Sequence, residues 1–235
     1  MMRARLLVGL LTAGLALSAC SLAGDVTPPP GSQPISSVNQ QPAATQPGAE
    51  APVAEPTTSG PVDVTTASPA RKPSAVSGST IGAAHRAECH GAAGQSDGGS
   101  VSKLPAPPPV LADPATLRGM TPRDVFTTIT QGRLDKFMPP FGDSLTDAER
   151  WDLTAYVYAL STTQEEVDQG KDLYIANCGE CHGESGQTLR DWTSADYIAT
   201  TSPQTIYDAI QAGVPEIDDH VFAAKLSEAE LWSVV

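Results

Sequence analysis

The chain has 235 residues, room for one or two modest domains, with 27 acidic side chains against 14 basic ones and a formal net charge of −13. Up to Ala84 acids and bases balance at four each; from His85 onward there are 23 acids and 10 bases, so the excess belongs to the C-terminal part. That field argues against a nucleic acid partner, and it suits a protein partner with a basic docking face as well as it suits a merely soluble acidic surface.

Residues 1–20 read as an export signal. Arg3 and Arg5 form a short basic region, Leu6 to Leu17 is apolar, and Leu17-Ser18-Ala19-Cys20 closes the segment with small residues. The apolar run is too short to span a bilayer comfortably. Leu-Ser-Ala-Cys resembles the lipobox of bacterial lipoproteins, which implies that Cys20 is the lipidated first residue of the mature chain. The protein is then expected on the outer, periplasmic face of the bacterial cell membrane. Residues 21–77 hold eleven prolines among many Ser, Thr, Ala and Gln, and no aromatic residue precedes Phe126. Such a segment buries too little apolar surface to offset chain entropy, so a disordered tether is expected, its ends about 40 Å apart as a flexible coil.

The remainder is predicted to be all-α. Thr121 and Ser202 read as N-caps, with Pro122 and Pro203 at the first helical position. Val125, Phe126 and Ile129 mark one buried helix face, as do Ile206, Tyr207 and Ile210. Thr146 to Glu149 and Ser227 to Glu230 are capping boxes ahead of helices carrying Trp151 and Trp232, and Thr163 with Glu166 opens a further helix toward Cys178. These signals repeat. A shift of 81 residues aligns the two halves without a gap, with eight identities over 34 positions, Pro122/Pro203, Gly132/Gly213, Phe141/Phe222 and Trp151/Trp232 among them. The pattern points to duplication. After Trp151 an apolar stripe continues through Leu153, Tyr156, Val157 and Leu160, while the second copy stops three residues after Trp232. The expectation is either a truncated reading frame or a second domain completed by a partner.

Cys178-Gly179-Glu180-Cys181-His182-Gly183 carries the chemistry. Two thiols three apart can each bond one haem vinyl group, and the adjacent imidazole then falls beneath the iron as proximal ligand. A chance CxxC, a zinc half-site and a redox dithiol are the competing readings; the adjacent histidine, the lack of a second CxxC and the export signal favour haem. Upstream, Arg86-Ala87-Glu88-Cys89-His90-Gly91 has the same layout with arginine in the place of the first cysteine. With Cys20 lipidated and the other three cysteines in haem contexts, none remains for a structural disulfide.

Together with the duplication, these motifs resemble a diheme member of the cytochrome c superfamily, with short bacterial class I domains in tandem over residues 78–163 and 164–235. The resemblance implies a helix ending at each attachment motif, a loop carrying the sixth iron ligand, and a C-terminal helix crossing the first. Met138-Pro139-Pro140-Phe141 ahead of Leu145-Thr146-Asp147 is similar to that ligand loop. It implies haem held in domain 1 by His90, Met138 and a single thioether from Cys89. Loss of that haem, with the domain kept for packing, stays open, as does a sequence error or strain variant at Arg86. In domain 2 the alignment places Asp219 opposite Met138 and His220 opposite Pro139. A carboxylate is a poor sixth ligand for an electron-transfer haem, so His220 is the candidate partner of His182. The alternative is a solvent-exposed His220 beside Asp218 and Asp219, with the iron five-coordinate. His85 is assigned a surface role and Met120 a core one.

On this reading the chain is a membrane-anchored extracytoplasmic electron carrier with covalently bound haem c in domain 2 and a second haem in domain 1, serving redox partner proteins. The alternatives are a haem subunit of a larger respiratory complex and a peroxidase or gas-binding protein using an open site in domain 2. For the last, Asp218, Asp219 and His220 supply acid–base groups, but no arginine is near in sequence to stabilise developing charge.

Overall fold

The computed structural model describes residues 63–213, 220, 222 and 224–235. The export signal, Cys20 and most of the tether lie outside these residues, as do Asp218 and Asp219. The described residues are helical, with one isolated bridge between Arg133 and Met138 and no strand, as the capping pattern predicts. In chain order the helices are α1 (Ala75–His85), α2 (Ala87–His90), α3 (Pro114–Leu117), α4 (Pro122–Gln131), α5 (Asp147–Ala159), α6 (Gln164–Asn177), α7 (Gly179–His182), α8 (Ala195–Thr200), α9 (Pro203–Ala212) and α10 (Glu228–Val234). None of them is long and apolar enough to cross a membrane.

Local chemistry sets the helix starts. Thr121 and Ser202 accept from the backbone N–H groups of Asp124 and Thr205 with proline in the first turn, and Gly132 and Gly213 end the same helices at φ +67° and +75°. Thr146, Thr163 and Ser227 each close a two-way capping box with Glu149, Glu166 and Glu230.

In each domain the helix leading into the motif crosses the last helix. Gly78 of α1 lies against the Asp152 carbonyl of α5, and Gly170 of α6 against the Ser233 carbonyl of α10; a Cβ at either position would overlap that oxygen. Behind the first crossing, Val125, Ile129, Leu145, Leu153 and Val157 pack with Leu111 and Leu117 into a core. The duplicated aromatic pairs keep one geometry. Phe126 stacks on Trp151 with centroids 4.4 Å apart at 17°, and Tyr207 on Trp232 at 4.2 Å and 13°.

The structure departs from the expected tether boundary at residue 77. Residues 63–74 lie on domain 1: Val64 is buried with Phe126 and Trp151, Arg71 forms a two-pronged bond to Asp152 at 2.9 and 2.5 Å, and the Ser74 N–H donates to the same carboxylate at 2.7 Å. Arg123 ties this strap down by donating to the Ala67 carbonyl at 2.7 Å. Composition missed it because a strap needs only one apolar anchor and a few polar partners, not a core of its own. The two domains also meet directly. Ala199 of α8 packs into the Phe126–Trp151 cluster, Arg118 lies 3.8 Å over the Trp232 ring, and the Gln204 N–H donates to the Arg118 carbonyl at 2.8 Å.

Candidate functional site

The two motifs adopt one backbone. Arg86 and Cys178 both sit at the break between helices, at φ/ψ −123°/−29° and −120°/−31°, and Gly91 and Gly183 follow the histidines at φ +80° and +73°. A side chain on Gly91 would meet Asp97, and one on Gly183 would meet Thr188. Arg86 therefore stands in the structural place of Cys178, as the sequence layout implies.

In domain 1 Arg86 and His90 line an apolar cavity of about 570 Å³, a size suited to a small-molecule or cofactor group. Met138 lines it too. After Gly132 the chain makes a short 3₁₀ turn over Leu134–Lys136, and Phe137 takes a left-handed conformation at φ +62°. Reciprocal hydrogen bonds between Arg133 and Met138, at 2.8 and 3.0 Å, then pin the returning strand. A Cβ at Gly132 would come within 2.6 Å of the Met138 carbonyl, so only glycine allows this close return. Met120, expected in the core, packs against it and also lines the cavity, whereas half-buried Cys89 is not among the lining residues. His85 meets the Phe141 ring edge-on at 5.9 Å.

The cavity suits an apolar, iron-bearing group. Its lining is mostly aliphatic. Burial, then the Arg86 charge, lower the His90 pKa, with a hydrogen bond to the Pro109 carbonyl opposing them, and a neutral imidazole keeps one nitrogen lone pair for a metal.

In domain 2 the ring centroids of His182 and His220 lie 6.1 Å apart with the ring planes at 77°. That separation is close to two metal–nitrogen bonds plus the halves of the two rings, the spacing an iron ligated by both would need. The His220 Nδ1 is buried and unpartnered. Burial, then the neighbouring His220, lower the His182 pKa, with the Thr188 carbonyl opposing. Burial, then Cys181, push the Cys178 thiol up, which keeps it protonated; Cys181 is exposed.

Two residues at this site escaped the sequence reading. Trp192 lies flat on His182, centroids 4.2 Å apart at 26°, and no spacing rule would have found it. Tyr174 donates its hydroxyl to the Gly183 carbonyl at 2.7 Å, fastening the loop after the motif. Its position four residues before Cys178, one helical turn, was a usable signal. In domain 1 Tyr156 does the equivalent work from the opposite helix, donating to the Ala92 carbonyl at 3.2 Å.

The chain is 30% identical over 125 residues to the Cbb3-type cytochrome c oxidase subunit FixP of Sinorhizobium medicae, covering 48% of this chain and 40% of that protein. It is 34% identical over 116 residues to the Cbb3-type cytochrome c oxidase subunit CcoP of Azospirillum brasilense, covering 43% and 37%. The chain thus spans well under half the length of these relatives. Cytochrome c6 of the diatom Phaeodactylum tricornutum is 28% identical, with 37% of this chain and 94% of that one covered at a TM-score of 0.30. The family model described as cytochrome C oxidase, cbb3-type, subunit III matches residues 74–157 and again 165–235, one match to each half of the duplication, and the chain belongs to that family.

Proposed function

We propose that this protein is a diheme c-type electron-transfer protein, exported and held to the outer face of a bacterial membrane through lipid on Cys20, passing electrons within a respiratory chain that ends in a terminal oxidase. In this reading Cys178 and Cys181 would hold haem covalently through thioethers, and His182 and His220 are the residues that would hold its iron. Domain 1 holds its haem through His90, Met138 and a single thioether from Cys89. The bound group supplies a one-electron couple. The protein's own part is to bury the iron, fix the axial rings and keep water off them.

The observation that carries the reading is the pairing of His182 with His220 at 6.1 Å across an attachment motif. It also weighs against the peroxidase or gas-binding alternative, which needs one face open. The acidic surface supports docking to a basic partner face. Intact mass and a pyridine haemochrome on the membrane-extracted protein test the proposal: two covalent haems per chain are expected, one would sink the diheme reading, and none would sink the whole proposal. Met138→Ala is expected to convert one haem from low to high spin. His220→Ala is expected to open the other to carbon monoxide. Carbon monoxide binding by the unaltered ferrous protein at domain 2 would instead make the open-site alternative the correct one.

A further inference from the structure

Arg86 has no part in that account, and its setting is unusual. The side chain is only 8% exposed, and its Nε and Nη1 have no hydrogen-bond partner. Among the described ion pairs none involves it. A buried guanidinium with no counter-ion is costly, arginine cannot shed its proton to escape the cost, and the Tyr156 side chain offsets only part of it.

The fold nevertheless makes room for it. Its guanidinium carbon lies 5.1 Å from the centre of the Tyr156 ring. Gly82, one turn earlier on α1, leaves the space. A Cβ there would approach the Tyr156 ring to 2.6 Å and Arg86 Nη2 to 3.3 Å. In domain 2 the corresponding turn carries Tyr174, and a cysteine stands in the place of the arginine. Glycine, tyrosine and arginine in domain 1 thus form one packed set around a cation, and that cation lines the same cavity as His90 and Met138.

We propose that Arg86 is a built-in fixed charge that raises the reduction potential of the domain 1 iron above the value its histidine–methionine ligands would set alone. The inference rests on the reading that domain 1 binds haem. The sign follows from Coulomb repulsion. Fe(III) carries one more positive charge than Fe(II), so a nearby cation in a poorly screened cavity disfavours the oxidised state. Gaining one electron relieves that repulsion, and no proton need move. The arginine is then a tuning residue: it gives up one covalent bond to the cofactor and makes domain 1 the electron-accepting half of the pair.

The test is spectroelectrochemical titration of the full-length protein and three variants, preceded by mass analysis of the peptide containing Cys89. Arg86→Met removes the charge at similar size, and Arg86→Lys keeps it. Arg86→Cys removes the charge while completing the attachment motif, so it retains haem even where Arg86→Met does not. At a fixed applied potential near the domain 1 midpoint, the reduced-to-oxidised ratio is expected to fall roughly threefold to tenfold in Arg86→Met and Arg86→Cys. Arg86→Lys should stay close to wild type. An unchanged ratio in Arg86→Cys with haem bound overturns the charge proposal and leaves the haem reading standing. A Cys89 peptide without haem mass, in a protein whose spectrum is indifferent to Met138→Ala, overturns the haem reading itself and the charge proposal with it.

Discussion

Domain 1 and domain 2 begin from one unit and have come to hold their helix crossings differently. In domain 1, α5 runs for 13 residues across α1 and meets two glycines, with Gly78 against the Asp152 carbonyl and Gly82 under the Tyr156 ring. In domain 2, α6 meets α10 at Gly170 and itself carries Tyr174. The tyrosine that ties down the loop after the motif has therefore changed helices while keeping its task, bonding the Ala92 carbonyl in one domain and the Gly183 carbonyl in the other. What duplication preserves here is the contact, and the side that supplies it is free to vary. The cysteine–histidine motifs vary in the same way: a full pair of cysteines in domain 2, one cysteine and an arginine in domain 1.

The largest test of this contrast is at the paired glycines. Gly78→Ala and Gly170→Ala gain a little helix propensity but drive a methyl into a backbone carbonyl that cannot rotate away. Gly78→Ala is expected to cost about 3 kcal/mol and Gly170→Ala about 2 kcal/mol, because a methyl at Gly78 also meets the Tyr156 Cβ. Urea titrations followed by circular dichroism and haem absorbance would measure both. Equal or inverted costs would mean that the Tyr156 contact does not decide how firmly each crossing is held.

A smaller effect is expected at the exchanged tyrosines. Tyr174→Phe deletes a 2.7 Å bond to the Gly183 carbonyl and should cost about 1 kcal/mol. Tyr156→Phe deletes a longer, more exposed bond and keeps the ring beneath Arg86, so about 0.5 kcal/mol is expected. If Tyr156→Phe proved the costlier change, the Ala92 contact would be the stronger fastening and the division of labour argued above would reverse.

The parts of this structure that were legible in the sequence are those written in local code. Thr121 with Pro122, the capping boxes at Thr146, Thr163 and Ser227, and the gap-free repeat located the helix starts, since each depends on residues within one turn. The cysteine–histidine spacing located both motifs for the same reason. Long-range contacts were not legible. Nothing near Val64 or Arg71 announces that Trp151 and Asp152 will hold them, and Trp192 reaches His182 through a loop with no periodic signal. Arg86 was readable as a departure from the motif, but its lack of a counter-charge depends on what the fold places around it.

The smallest effect concerns how the two helices of the domain 2 crossing begin. Hydrogen bonding to the Thr163 backbone and side chain holds the Glu166 carboxyl below its ordinary 4.5, and Ser227 does the same for Glu230. A carboxylate whose folded pKa is depressed stabilises the fold above its unfolded pKa and loses that contribution as pH falls through the folded value. Acidification across this window should therefore fray the first turns of α6 and α10 before the crossing at Gly170 is disturbed. Hydrogen-exchange mass spectrometry at stepped pH, corrected for intrinsic exchange, would show protection falling first at those turns. The doubly substituted Glu166→Gln, Glu230→Gln protein should show little change over the same steps, because its boxes have no carboxylate to protonate. Early loss of protection at Gly170 instead would place the weak point of domain 2 at the helix crossing itself, where Gly170 lies against the Ser233 carbonyl.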